Sequence, residues 1–315
     1  KIAINTRLKD GPWGGGNRFL HSLTNALVQR GDDVFYDLLQ KDIDLILIID
    51  PRRRNPQLSF TINEIIDYRR INERAIIIHR INECDERKNT LTMNLQLRLA
   101  NVVADHTIFI ATWLRYLSVW NNFSDHSIIH NGASEIEFPR NSASKWEHPK
   151  RLRIVTHHWG SNELKGWDVY KKIDLLLSDP YWREKIEFTF IGNKPQNIHT
   201  RNIHLIKALN GKELSQELSS HHVYISASQN EPAGMHHIEA AILGLPLIYR
   251  NSGALPEYCN GFGEIFQGPD DIGMAIDGMI RNYNHWKSRM PSYTNTSSRM
   301  VGEYLSLFDR LLLCR

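Results

Sequence analysis

Short apolar runs that alternate with helical segments place the strongest constraint on the fold of this chain. Residues 43–49 read IDLILII and are apolar except for Asp44. A strand with apolar side chains on both faces is typical of the centre of a parallel sheet that helices cover on both sides. Because the alternation begins at Ile2 and continues along the chain, the sequence predicts a doubly wound α/β fold.

The length allows two domains, because 315 residues can build two separate cores. Residues 140–150 contain Asn, Ser, Lys and Pro, a composition typical of an interdomain linker. We therefore expect an N-terminal domain at residues 1–145, a C-terminal domain at 151–298 and a C-terminal helix at 299–315. Apolar side chains in the last segment share the spacing of one helix face: Val301, Tyr304, Leu305, Phe308, Leu311 and Leu312.

Composition argues against several classes of protein. The apolar fraction of 41% and the charged fraction of 23% are those of a globular protein, and no run approaches the roughly 20 apolar residues of a membrane span. Residues 1–150 hold 20 Lys and Arg against 18 Asp and Glu, and residues 151–315 hold 18 against 17, which argues against a nucleic-acid partner. Three scattered cysteines favour a reducing, cytoplasmic location without disulfides.

The segment from Ser226 to Glu257 has the pattern strand, polar loop, helix, strand. A short apolar strand at residues 222–225 precedes the loop, the helix is predicted at 235–243, and the next strand at 247–249. Such a loop places backbone N–H groups and the positive end of a helix dipole at the carboxyl edge of a sheet. Anionic ligands bind there in α/β proteins.

Two carboxylates flank the predicted helix start: Glu231 in the loop and Glu239 about one turn inside the helix. A carboxylate accepts hydrogen bonds from hydroxyl groups. Two of them beside an anion pocket suit a ligand that joins sugar rings to phosphate, so the predicted ligand is a nucleotide sugar.

This segment resembles the donor site of GT-B glycosyltransferases of the retaining family 4 type, also described as glycosyl transferases group 1. The residues that carry the resemblance are Ser228, Glu231, Pro232, Gly234, Glu239, Gly244, Pro246, Ser252, Gly253, Pro256 and Glu257. It implies two Rossmann-like domains that face each other across a cleft, with the C-terminal helix crossing back to the N-terminal domain. It also implies a metal-independent, hexosyltransferase-type enzyme that retains anomeric configuration.

The resemblance implies roles for individual residues. Glu239 binds the ribose hydroxyls, Glu231 binds the sugar hydroxyls, and Lys165 neutralises the donor diphosphate with help from the N–H groups of Gly234, Met235 and His236. His79 ends an apolar strand and matches a histidine that contacts the donor sugar near its anomeric carbon. The catalytic set implied is His79, Lys165 and Glu231.

Further donor-binding residues are implied by the same resemblance, namely Gly15, Gly16, Asn193 and Ser228. The glycine triplet at residues 14–16 is also open to two other interpretations, a dinucleotide fingerprint and a flexible surface loop. The sequence departs from the family where an Arg is usual, five or six residues before Lys165. Gly160 and Trp159 stand there, which leaves the second cation of the diphosphate site unassigned.

Metal chemistry is not expected. Adjacent histidines such as His157 and His158 point in different directions on a helix or strand, and the metalloprotease spacing His-Glu-x-x-His is absent from the sequence. We therefore expect no metal and no cofactor. The expected partners are a nucleotide-sugar donor and a glycan or lipid-linked acceptor, with association at the inner face of a membrane left open. The alternatives are a nucleotide-sugar epimerase of the same fold and a non-catalytic glycan- or nucleotide-binding module.

Overall fold

The chain forms two compact α/β units, as the strand and helix pattern predicted. A computed structural model describes residues 1–9 and 14–314. One unit comprises Lys1–Gly132 together with Ser297–Arg315, and the other comprises Ala133–Thr296. Each unit contains its own six-stranded sheet, and all the strand pairs are parallel. The predicted doubly wound fold class is confirmed.

The sheet of the first unit has the strand order β2-β1-β3-β4-β5-β6. Its strands are β1 (Ile2–Ile4), β2 (Val34–Phe35), β3 (Leu45–Ile48), β4 (Ile76–Ile81), β5 (His106–Phe109) and β6 (Asp125–Ile128). Its helices are α1 (Gly15–Arg30), α2 (Ile62–Ile71), α3 (Met93–Asn101) and the C-terminal α10 (Ser297–Leu313), with a short 3-10 helix at Thr112–Tyr116. Every residue of β3 and β4 is buried, as expected for central parallel strands.

Helix α10 packs on the first unit, beside α1. Phe19 and Leu23 of α1 share one core cluster with Tyr304 and Phe308 of α10, and the rings of Phe19 and Tyr304 lie 5.1 Å apart. The predicted C-terminal helix therefore completes the core of the unit that contains the N-terminus.

A buried arginine reinforces this junction. The side chain of Arg80 is almost fully buried, and its Cζ lies 3.7 Å from the ring centre of Phe19. Its Nε donates a hydrogen bond to the Tyr304 hydroxyl (3.0 Å), and its Nη2 donates to Asn131 Oδ1 (2.8 Å). One guanidinium group thus joins strand β4 to both helices.

The sheet of the second unit has the order β12-β11-β10-β7-β8-β9. Its strands are β7 (Leu152–His158), β8 (Ile186–Gly192), β9 (His204–Ile206), β10 (Val223–Ser226), β11 (Leu247–Arg250) and β12 (Gly263–Phe266). Its helices are α4 (Trp167–Leu176), α5 (Pro180–Lys185), α6 (Gly211–Ser219), α7 (Met235–Ile242), α8 (Leu255–Cys259) and α9 (Ile272–Arg289), with 3-10 helices at Glu163–Lys165 and Met290–Ser292. Its main core lies between the sheet and helices α4 and α9.

The predicted linker contacts the second unit. Asn141 N–H donates to the carbonyl of Ile242 (3.0 Å), and Ala143 N–H donates to the carbonyl of Leu243 (2.8 Å). These bonds cap carbonyls at the C-terminal end of α7. Along the chain, the first unit gives way to the second between residues 132 and 133.

Candidate active site

The topology of the second sheet indicates where a ligand binds. From β7 the chain continues to β8 and β9 on one side of the sheet, and β10, β11 and β12 then extend the other side. The order therefore reverses between β7 and β10. Ligands of open α/β sheets bind at the carboxyl ends of the strands that flank such a reversal. His157 and His158 end β7, and Ser226 ends β10.

The loop between β10 and α7 is held by backbone hydrogen bonds on two sides. Gln229 N–H donates to the carbonyl of Leu164 (2.8 Å), and Ala254 N–H donates to the carbonyl of Glu231 (2.9 Å). Gly253 has φ +58°, and a Cβ at this position would lie 2.5 Å from the backbone nitrogen of Glu231. Glycine at position 253 thus allows the backbone around Glu231 to take up this position.

Helix α7 begins without a side-chain cap, because its N-cap residue is Gly234. The N–H groups of its first turn lack intrahelical partners and, with the helix dipole, favour a negatively charged ligand. A Cβ on Gly234 would lie 3.1 Å from the carboxyl carbon of Glu231 and 2.5 Å from Nδ1 of His236. Glycine therefore lets a carboxylate and an imidazole approach the start of the helix.

Lys165 and Glu231 form a largely buried ion pair, Nζ to Oε2. Their side chains are 13% and 2% exposed, so solvent screens the pair only weakly. Gly166 follows the 3-10 helix of Lys165 with φ +102°, and a Cβ there would collide with Ala227 at the end of β10. This close approach brings Lys165 beside Glu231, although the two residues are far apart in sequence.

His157 and Glu239 form a second buried pair. His157 Nε2 lies 2.9 Å from Glu239 Oε2, and the Glu239 side chain is only 2% exposed. Each glutamate that the sequence singled out is therefore held by a basic side chain: Glu231 by Lys165, and Glu239 by His157. The second pairing was not predicted from the sequence, although the position of His157 at a strand end was a usable signal.

Three other histidines beside these pairs are buried, and two of them are hydrogen-bonded to hydroxyls. His158 Nε2 lies 2.8 Å from the Tyr170 hydroxyl, and His236 Nε2 lies 2.8 Å from Ser226 Oγ. Burial lowers the pKa of His158 and of His236 well below the usual value, with Lys165 and the neighbouring imidazoles adding to the effect. Burial also lowers the pKa of His237 to about 4. These three imidazoles are consequently neutral near pH 7 and add no positive charge.

Two further predicted residues lie in the second unit. Asn193 follows β8, and its side-chain N–H donates to the carbonyl of Trp159 (2.7 Å). Ser228 lies in the loop after β10, is fully buried, and its Oγ has no hydrogen-bond partner within the described part of the chain. A buried hydroxyl in this state is suited to bond an incoming ligand. Trp159 and Gly160, where the resemblance led us to expect an arginine, are both exposed.

Comparison with known proteins identifies the class. Residues 171–294 match the family described as glycosyl transferases group 1, and this segment contains Glu231, Gly234 and Glu239. No curated protein matches the chain by sequence. Among solved structures, sucrose-phosphate synthase from Thermosynechococcus elongatus is 13% identical with a TM-score of 0.69, covering 100% of this chain and 99% of that one. The chain is a glycosyltransferase with the GT-B fold.

Two other solved structures have the same fold as this glycosyltransferase. HepE from Anabaena, solved in complex with UDP and glucose, is 11% identical with a TM-score of 0.66 and covers 98% of each chain. AviGT4, a glycosyltransferase involved in avilamycin A biosynthesis, is 12% identical with a TM-score of 0.65, covering 100% of this chain and 98% of that one. The predicted fold and enzyme class are confirmed.

The remaining predicted site residues of the glycosyltransferase lie in the first unit. Gly15 and Gly16 form the first turn of α1 after the N-cap Gly14, and a Cβ on Gly16 would meet no atom of the described residues within 4 Å. The preceding residues 10–13 lie outside the described residues. His79 is fully buried within β4, where its Nδ1 lies 3.4 Å from the Asn101 amide nitrogen and burial lowers its pKa to about 3. A contact between His79 and the donor stays a prediction.

Residues 1–9 and 14–314 contain neither a candidate metal site nor a helix that could span a membrane. Within these ranges, His, Cys, Asp and Glu side chains do not gather in groups of three that could hold a metal ion. Across the same residues, every helix is too short or too polar to cross a membrane.

Proposed function

We propose that the enzyme transfers a hexose from a nucleotide-diphosphate sugar to a hydroxyl group of a glycan, lipid or small-molecule acceptor, with retention of anomeric configuration and without a metal ion. The observation that carries this proposal is the arrangement at the start of α7. Two buried carboxylates, each held by a basic side chain, flank an uncapped helix N-terminus at the reversal point of a parallel sheet.

The second unit binds the donor in this proposal. Glu239 accepts hydrogen bonds from the ribose hydroxyls while His157 fixes its orientation at 2.9 Å. The diphosphate lies against the N–H groups of Gly234, Met235 and His236. Lys165 carries three N–H donors on one ammonium group, so it can bond a phosphate oxygen and Glu231 together. Glu231, held in place by Lys165, accepts hydrogen bonds from the transferred sugar.

Catalysis follows from where negative charge develops. The bond between the anomeric carbon and the β-phosphate oxygen breaks, and the acceptor oxygen forms its bond to the same face of that carbon. The acceptor's proton passes to the leaving phosphate, so the products are the glycoside and the nucleoside diphosphate. The ammonium of Lys165 and the N–H groups of α7 bind the leaving phosphate more strongly as its charge grows, which lowers the barrier.

The histidines around the start of α7 supply no positive charge to the diphosphate. His158, His236 and His237 surround the helix start, and burial lowers the pKa of each below its usual range. Stabilisation of the diphosphate then depends on Lys165 and on the peptide dipoles of α7. Ser228, whose buried hydroxyl has no hydrogen-bond partner within the described residues, and Asn193 complete the donor side.

The first unit supplies the acceptor side in this proposal. Gly15 and Gly16 at the start of α1 contact the diphosphate or the acceptor, and His79 contributes near the anomeric carbon. We assign the activity to the cytoplasm, with a glycan or lipid-linked acceptor. HepE was solved with UDP-glucose, so UDP-glucose is the first donor to test.

A thermal-shift series with UDP-, GDP-, ADP- and TDP-sugars identifies the donor, because a ligand that binds the folded state raises the melting temperature. With that donor, Lys165→Ala should lower kcat about a hundredfold, the typical loss for one group that stabilises developing charge. Glu239→Gln should raise the donor KM. The matched control is Lys171→Ala on α4, an exposed lysine that should leave both constants unchanged. Full transfer activity in Lys165→Ala would remove Lys165 from the site.

The same assay separates the alternative chemistries. Incubation of the donor without an acceptor should give slow hydrolysis at most. Conversion of the sugar to its epimer without an acceptor would instead identify an epimerase. Binding of a nucleotide sugar with no turnover under any condition would identify a binding module and contradict the proposed function.

A further inference from the structure

One tryptophan of the second unit is exposed at the carboxyl edge of its sheet. Trp159 follows β7 directly and is 45% exposed. All other tryptophans within residues 1–9 and 14–314 are buried or half-buried. Among these residues, the indole of Trp159 has neither a hydrogen-bond partner nor an aromatic neighbour. Tryptophan is a large, mostly apolar side chain, so its exposure here leaves a flat apolar face available to a ligand.

The backbone at Trp159 is held by the end of the neighbouring strand β8. Asn193 Nδ2 donates to the carbonyl of Trp159 (2.7 Å), and Asn193 N–H donates to the carbonyl of His158 (3.3 Å). Gly192 has φ +139°, and a Cβ at this position would lie 2.0 Å from the carbonyl oxygen of His158. Glycine thus lets the two strand ends approach closely. The indole of Trp159 therefore projects from a backbone that hydrogen bonds fix in position.

The strand order separates Trp159 from the sugar end of the candidate site. In the second sheet, β7 lies between β10 and β8. The loop after β10 carries Glu231, to which the proposed function assigns the transferred sugar. Trp159 is bonded to Asn193, which follows β8, so it lies towards the side of β7 that faces away from the Glu231 loop. Neighbouring strands are about 4.8 Å apart, so the ends of β10 and β8 are about 10 Å from each other.

The ribose end of the same site is close to Trp159. His157, whose Nε2 lies 2.9 Å from Glu239 Oε2, stands two residues before Trp159. Two residues of chain span at most about 7 Å. A nucleobase is attached directly to the ribose, so a ribose bound by Glu239 brings its base within reach of the indole.

We propose that the indole of Trp159 stacks on the nucleobase of the sugar donor. This role rests on the proposed function, which assigns the ribose to Glu239 and the sugar to Glu231. Every nucleobase has a flat π-face that an aromatic side chain can cover. Trp159 stands where the family resemblance led us to expect an arginine, six residues before Lys165. Because an indole is uncharged, this position contributes to binding of the base, and the diphosphate is left to Lys165 and the start of α7.

Calorimetric titration of the full chain tests the inference. UDP, GDP, ADP and TDP are compared, and the nucleotide that binds most tightly becomes the probe. Trp159→Ala should weaken its binding about tenfold to a hundredfold, the loss that corresponds to one base–aromatic stack. Trp159→Phe should keep most of the affinity, because phenylalanine retains a ring although it lacks the N–H donor. In transfer assays Trp159→Ala should raise the donor KM and leave kcat unchanged, because the base is remote from the reacting bond.

Ribose 5-diphosphate, which lacks a base, separates stacking from a structural role. Its affinity should be the same in the wild type and in Trp159→Ala, so the loss should appear only when the base is present. The matched control is Tyr181→Ala, because Tyr181 is 50% exposed and lies on α5. Helix α5 leads directly into β8 and is therefore at the amino edge of the sheet. This control should bind the nucleotide as the wild type does.

Equal nucleotide binding by the wild type and Trp159→Ala would overturn the inference. Equal losses for the nucleotide and for ribose 5-diphosphate would also overturn it, and so would a Trp159→Phe variant that binds as weakly as Trp159→Ala. Either result would assign the indole N–H to a phosphate instead of the ring to a base. A wild-type protein that binds none of the four nucleotides would contradict the proposed function, and this inference with it. Failure of the inference alone would leave nucleotide binding and transfer by the wild type intact.

Discussion

Replacement of His157 by phenylalanine tests whether the buried pair with Glu239 orients the donor. Phenylalanine keeps a planar ring at this position, where the imidazole lies 5.6 Å from the ring of Tyr224. It removes the hydrogen bond of 2.9 Å between Nε2 and Glu239 Oε2. Because the Glu239 side chain is 2% exposed, water cannot easily replace the lost partner.

The expected magnitude follows from the chemistry of the bond. Hydrogen bonds to charged groups contribute about 1.5–3 kcal/mol. If the ribose hydroxyls bind an oriented Glu239, the donor KM should rise about tenfold to a hundredfold. Ribose is remote from the reacting bond, so its binding is the same in the ground state and the transition state. The value of kcat should therefore change little.

Steady-state kinetics with the natural donor and with a 2′,3′-dideoxy analogue separate this role from a structural one. In the wild type the analogue should bind more weakly than the natural donor. In His157→Phe that penalty should largely disappear, because the carboxylate is no longer held for the hydroxyls. His157→Gln, which keeps an N–H donor, should recover part of the affinity. An unchanged donor KM in His157→Phe, or an undiminished penalty for the analogue, would refute the reasoning.

Two further predictions concern the same site. Gly253→Ala should lower the free energy of unfolding by at least about 1–2 kcal/mol, because a residue with a side chain is strained in the left-handed backbone conformation. It should also weaken donor binding, because the new Cβ would lie 2.5 Å from the backbone nitrogen of Glu231. The control is Gly31→Ala, where φ is +93° and no atom of the described residues lies within 4 Å of the added Cβ. Equal losses of unfolding free energy in the two variants, measured with urea, would contradict this reasoning. Acidification should also destabilise the fold. Folded His237 has a pKa of about 4, below the unfolded value of 6.5, so stability is full above pH 6.5 and falls towards pH 4 by up to about 1.4 kcal/mol per pH unit. His237→Phe should reduce this slope in urea titrations at several pH values, and an unchanged slope would show that His237 does not titrate in this way.

Local patterns predicted the strands and the helix that carry the candidate site. The predicted strand at 222–225, helix at 235–243 and strand at 247–249 correspond to the observed β10 (Val223–Ser226), α7 (Met235–Ile242) and β11 (Leu247–Arg250). These elements are visible in short stretches of sequence, because apolar runs mark the strands and the helix. Glycine and proline mark the turns between them. Strand β12 (Gly263–Phe266) was missed, since it is an edge strand with the charged Glu264 and without a continuous apolar run.

Such local patterns did not predict contacts between distant segments of the chain. The pairing of His157 with Glu239 depends on β7 and β10 being neighbours in the sheet, and the sequence shows strands without their order. The composition of residues 140–150 also did not predict the contacts that this segment makes. Their polar side chains are typical of a linker, whereas the N–H groups of Asn141 and Ala143 bond the C-terminal end of α7.

The position of α10 has a consequence for folding during synthesis. Strands β1 to β6 leave the ribosome first, but Met300, Tyr304 and Phe308 of their core are translated only after the whole second unit. Until then the ring of Phe19 and the guanidinium of Arg80 lack their aromatic partner on α10. The unit that is made first is therefore the one completed last.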